Sequence, residues 1–258
     1  VSSLTDFSKG CLHDYQLTAN DMKLLSDADV LIINGGGMEE YMDDVIKSYP
    51  NLTVIDLSKN IPMLESLEHE GSNPHVWLDP DLYIMQIENA KQGLKDYINT
   101  TSKKNSREIS DKIDSNANSY IGKVGEIADE MNQLLNLVKD MAENKNISNK
   151  VVIFHDTFAY LAKKAGLSVA YEIEIDEDTP LSAGEIAEVI NVIKENNIRY
   201  LFTEEQHDDT ISDRIEEETE AKVYVIDTAV TGDADKDSYL KSMRNNINLL
   251  KQAVEDID

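Results

Sequence analysis

A single cysteine, Cys11, stands among 258 residues. No disulfide can close within the chain, and no cysteine-built zinc site can form. Long apolar runs are missing too. Stretches such as Val30–Ile33 and Val151–Phe154 fall far short of the roughly 20 residues that cross a bilayer. The opening residues carry no export signal and no lipid-attachment cysteine, so the chain is expected to be soluble, with any such signal or anchor removed. Positive charge is scarce: 24 Lys and Arg face 50 Asp and Glu, a formal net charge of −26. That excludes nucleic acid, whose binding needs clustered basic side chains, and adsorption to an anionic membrane surface. What remains is a chain that is 41% hydrophobic, ordinary for a folded protein and long enough for two modest cores.

The second half alternates strand and helix. Val151–Phe154, Tyr200–Phe202 and Val223–Ile226 are short apolar runs suited to buried parallel strands. Helical patterns at Phe158–Ala165, Ala183–Lys194 and Thr210–Thr219 lie between them, the second announced by a Ser182/Glu185 capping box. A last helix begins near Lys236. The first half repeats the rhythm, with a helix near Asn20–Ser26, strand Val30–Ile33, a glycine turn at Gly35–Gly37, a helix to Tyr49, strand Thr53–Leu57 and a helix from about Pro80 to Tyr97. Its opening strand and helix are expected to be missing. Between the halves, apolar or small residues recur at 109, 113, 117, 120, 124, 127, 131, 134, 138 and 141. Steps of four and three keep one helical face apolar for about 50 Å. A coiled coil fits that period, but Gly122, Gly125 and several Asn and Ser weaken it. The pattern predicts one connecting helix over 103–147, joining an α/β lobe at 1–102 to an α/β lobe at 148–258. The fold class is α/β, two lobes of parallel sheet flanked by helices.

Position separates the five histidines. His155 directly follows Val151–Phe154, at the carboxyl end of a parallel strand, where open α/β sheets bind ligands. Glu204 and Asp227 stand at the equivalent places after Tyr200–Phe202 and Val223–Ile226, so all three converge on one crevice. His75 sits in a proline-bounded loop, Asn73-Pro74-His75-Val76-Trp77-Leu78-Asp79-Pro80, and His13 in another, Gly10-Cys11-Leu12-His13-Asp14-Tyr15; loops of this kind often carry function. His207 reads as a surface residue at a helix start.

These segments resemble the motifs of the cluster A-I solute-binding proteins, the zinc- and manganese-binding receptors of ABC importers, also described as adhesion lipoproteins. The resemblance rests on the His13 segment with Thr18 and Asp21, the His75 loop, Phe154-His155-Asp156-Thr157-Phe158-Ala159-Tyr160-Leu161, Phe202-Thr203-Glu204, Val225-Ile226-Asp227 and the helix Tyr239–Leu250. It covers nearly the whole chain. It implies a tetrahedral-like site of His13, His75, His155 and Asp227, and delivery of the metal to a membrane permease. It also implies an extracytoplasmic protein, periplasmic or lipid-anchored, monomeric, with a host-surface ligand compatible with metal binding. The family's manganese receptors commonly carry a carboxylate where His155 stands. Three imidazoles and one carboxylate suit zinc better than manganese, which prefers oxygen. Cys11 is a further candidate near the metal, standing with Leu12 where the family usually has Asp-Pro. Only His69 and Glu70 stand where zinc receptors carry a long His-rich loop.

Other readings fare worse. Asn34-Gly35-Gly36-Gly37 lacks the third glycine of a dinucleotide fingerprint, since position 40 is Glu40; a tight turn accounts for it. His69-Glu70 lacks the second histidine of a zinc protease, Asn73 occupying its place. A zinc-dependent hydrolase would use the three histidines as an open site, with Glu204 as general base. Capture rather than catalysis is the expectation, with affinity falling as pH drops through the range where imidazole titrates.

Overall fold

The computed structural model describes residues 1–5, 15–66, 71–101, 105–144, 147–173, 181–204, 209–232 and 235–256. Helix α1 (Ala19–Asp27) opens the first lobe on a capping box in which Thr18 and Asp21 serve each other's backbone. Strand β1 (Val30–Ile33) follows, then the short helix α2 (Asp43–Lys47) and strand β2 (Thr53–Asp56). β1 and β2 pair in parallel, Val30 opposite Thr53 through Ile33 opposite Asp56. The helix expected between the glycine turn and Tyr49 is shorter than its sequence pattern, a 3-10 turn at Glu40–Met42 leading into α2. Gly35, Gly36 and Gly37 all take positive φ, and Glu39 reaches back to accept the Asn34 and Gly35 amides at 2.8 and 3.0 Å. A glutamate that caps the turn with its carboxylate closes it to phosphate. The turn is structural.

Helix α3 (Pro80–Thr101) runs against helix α4 (Ser106–Asn144). α4 is the connecting helix, 39 residues or about 58 Å. Val124, Ile127, Met131, Leu134, Val138 and Met141 are buried along it, and the earlier positions of the stripe, Ile109 to Tyr120, are half-buried. The four–three spacing therefore reports one helix lying along the lobes.

The second lobe holds β3 (Lys150–Ile153), α5 (Ala159–Lys164), β4 (Ser168–Glu172), α6 (Ala183–Asn196), β5 (Tyr200–Thr203), α7 (Asp209–Glu218), β6 (Lys222–Val225) and α8 (Ser238–Glu255). Its parallel sheet has the order β4-β3-β5-β6. Strand β4 was not anticipated from the sequence: it lies at the edge, only half-buried, and Ser168-Val169-Ala170-Tyr171-Glu172 lacks the apolar run of a two-faced strand. Side chains alternate between two cores. Val151, Ile153, Tyr200 and Phe202 face α4, α5 and α8. Val152, Phe154 and Leu201 face α6 and α7. The first lobe's own core is small, built on Leu25, Leu31 and Met42.

Candidate metal centre

The strand order reverses between β3 and β5, so the crevice beyond their carboxyl ends is the topological switch point. His155 leaves β3 and Glu204 leaves β5 on either side of it. The segment 73–78 brings His75 to the same place. Donor atoms of His75, His155 and Asp156 lie within 4.8 Å of one another, and the two imidazole centroids are 5.2 Å apart at 82°. Met38, His75, Trp77, His155, Glu204 and Thr228 line a common cavity.

His75 is 1% exposed, and its Nδ1 faces two oxygens. Asn73 Oδ1 lies 3.0 Å from it and Asp156 Oδ1 3.1 Å. The network assigns the proton to Nδ1 and the lone pair to Nε2, the arrangement of a metal-binding histidine backed by a carboxylate. Asn73 Oδ1 also accepts the His75 amide at 2.9 Å, while Asn73 Nδ2 donates to the Asp156 carbonyl at 2.8 Å. His155 is placed differently. Its Nδ1 accepts the Thr157 amide at 3.0 Å and so caps the 3-10 turn Asp156–Phe158. With that lone pair engaged, the neutral ring carries its proton on Nε2. Taking up a metal therefore costs the Thr157 bond or that proton.

Asp156 was quoted in the sequence only as part of a motif, and its role was missed. Burial pushes its carboxyl up, but the His75 and Ser66 hydrogen bonds, joined by the positive charge of either imidazole whenever it is protonated, hold it below the ordinary value. Ser66 Oγ donates to Oδ2 at 2.8 Å. A carboxyl whose folded value lies below its unfolded value of about 3.9 contributes stability that is whole above that pH. The contribution is lost as pH falls through the lower folded value. Asp156→Asn should cost about 1–3 kcal/mol at neutral pH and show a shallower acid limb below about pH 5. Melting temperatures against pH for both proteins, metal-free, check this; parallel curves would refute it.

Asp227 follows β6 but stands outside the His75–His155–Asp156 group. Its Oδ1 accepts the Ala229 amide at 2.7 Å, and its backbone is bracketed by Asn246 on both its amide and its carbonyl. Its neighbours Thr228 and Val230 line the cavity. His13 and Cys11, like His69 and His207, lie outside the described residues.

Solved structures share this architecture. The solute-binding protein FpvC of Pseudomonas aeruginosa, in complex with Ni2+, superposes with a TM-score of 0.77 at 22% identity, covering 97% of this chain and 87% of its own. A ZnuA crystal structure gives 0.74 at 24%, covering 97% and 89%. By sequence, the chain is 26% identical over 261 residues to the high-affinity zinc uptake system protein ZnuA of Bacillus subtilis (strain 168), spanning 94% of this chain and 77% of that protein. It is 23% identical over 239 residues to the manganese-binding lipoprotein MntA of Halalkalibacterium halodurans, spanning 91% and 75%. A profile of the family described as zinc-uptake complex component A, periplasmic, matches residues 1–253. The connecting helix, the switch-point histidine and this match agree: the chain belongs to the ZnuA family of metal-receptor proteins.

Proposed function

We propose that this chain is the extracytoplasmic solute-binding protein of a metal ABC importer, capturing one zinc ion between its lobes and passing it to a permease. The observation that carries the reading is the His75–His155 pair at the switch-point crevice, with Asp156 orienting His75. The proposed ligands are His13, His75, His155 and Asp227, with lobes at 1–102 and 148–258 joined by the helix of 103–147. Imidazole-rich coordination favours zinc over manganese, in keeping with the zinc protein of Bacillus subtilis. The manganese-binding relative makes manganese the competing cargo. A hydrolase is disfavoured by the family match, whose described role is zinc uptake. No described helix is long and apolar enough to cross a membrane, which fits a protein held at the outer face by an anchor or free in the periplasm.

Calorimetric titration of chelator-stripped protein tests the reading. One zinc per chain is expected, bound at least about tenfold more tightly than manganese. Tight manganese with weak zinc would transfer the protein to the manganese receptors, and binding of neither would end the proposal. Asp227→Asn and Glu204→Gln, titrated alongside, identify the fourth ligand, with the larger loss expected for Asp227→Asn.

A further inference from the structure

His75 belongs to the first lobe by chain order, yet its loop is fastened mainly to the second. Tyr160 of α5 is the central fastening: its hydroxyl accepts the Leu64 amide and donates to the Asn73 carbonyl, both at 2.8 Å. Trp77 Nε1 donates to the Thr228 carbonyl at 2.9 Å, and the Tyr239 hydroxyl of α8 donates to the Trp77 carbonyl at 2.9 Å. Ile61, Val76 and Leu78 are buried in the same core as α4, α5 and α8, not in the small core of the first lobe. From the first lobe, Asn34, just after β1, donates from Nδ2 to the Pro74 carbonyl at 2.9 Å.

We propose that Tyr160 and Trp77 are positioning residues of the metal centre: they fix the His75 loop to the second lobe, so that His75 and His155 meet an incoming ion as a preassembled pair. This rests on the metal-receptor reading above. The first lobe then closes the site rather than supplying half of it.

The test is zinc titration of the stripped protein as wild type, His13→Ala, Tyr160→Phe and the double variant. His13→Ala should still take one zinc per chain, at reduced affinity. Tyr160→Phe, which removes one hydroxyl, should lower zinc affinity about tenfold in both backgrounds, the lower range for groups that orient a ligand histidine. With cobalt as probe, its visible absorption should change in Tyr160→Phe, because the coordination geometry loosens. A merely structural role would lower the metal-free melting temperature and leave both the affinity and the cobalt spectrum alone. If Tyr160→Phe does not fold, Trp77→Phe, which keeps an aromatic ring and removes the Nε1 donor, takes its place with the same expectation. Loss of all zinc binding in His13→Ala, with the wild type binding normally, would overturn the preassembled pair and leave the receptor reading intact. Failure of the wild type itself to bind would overturn both.

Discussion

Replacing His155 by Ala is expected to weaken zinc binding about a hundredfold. A four-ligand zinc site is worth about 10–16 kcal/mol in apparent free energy at neutral pH. An even share for one ligand is about 3 kcal/mol, or about a hundredfold in affinity. His75→Ala should lose at least as much, because it also leaves the buried Asn73 and Asp156 without the ring they hold. The two variants separate by stability. His75 is buried, so its removal opens a void and strips two polar partners. The His155 side chain is 18% exposed, and its structural task is to cap the turn at Thr157. Loss of a cap costs about 1 kcal/mol. His155→Asn is the informative companion: Asn caps a helical turn well but is a poor zinc ligand. It should bind zinc as weakly as His155→Ala while recovering most of the lost melting temperature. Calorimetry and thermal melts on the three proteins decide it. Wild-type zinc affinity in His155→Ala would remove His155 from the ligand set.

The difference between these two histidines marks where sequence reading stops. The chain order of apolar runs placed His155, Glu204 and Asp227 at strand ends, because a parallel sheet delivers its carboxyl ends to one edge whatever the side chains do. The connecting helix was equally legible, since a stripe of four–three steps has one physical solution on a helix. Hydrogen-bond direction was not legible. That His155 spends Nδ1 on a backbone amide while His75 donates through Nδ1 depends on how Leu64 and Asn73 pack onto Tyr160 of α5, and no local pattern encodes that packing. Asp156 went unassigned for the same reason: it follows His155 in the chain but serves His75 across the crevice, a contact of long sequence separation. Strand β4 escaped because an edge strand is dry on neither face and leaves no continuous apolar run. The assignment of the His75 loop to the first lobe followed chain order, whereas its packing follows Tyr160, Trp77 and Tyr239.

The stability of the second lobe is also the geometry of the site, and Phe158→Ala should expose that link. Phe158 is fully buried, lies in the turn that begins at His155, and meets Phe202 of β5 edge to face at 6.5 Å and 82°. Truncating a buried Phe costs about 3–5 kcal/mol through lost burial and the cavity left behind, the spread reflecting how far the neighbours can relax. For a chain of this size that lowers the melting temperature by on the order of 10 °C. The turn Asp156–Phe158 carries the amide that His155 caps and the carboxylate that holds His75. A cavity beneath it frees both imidazoles at once, so zinc affinity should fall by about tenfold or more even at temperatures where the variant is folded. Leu201→Ala, a truncation on the opposite face of the sheet, in the core shared by α6 and α7, should cost comparable stability, about 2–5 kcal/mol, and leave zinc affinity largely intact. Equal loss of affinity in both would mean that the site senses the stability of the whole lobe. Loss in Phe158→Ala alone would mean that the short turn after β3 is the element through which packing sets the metal site.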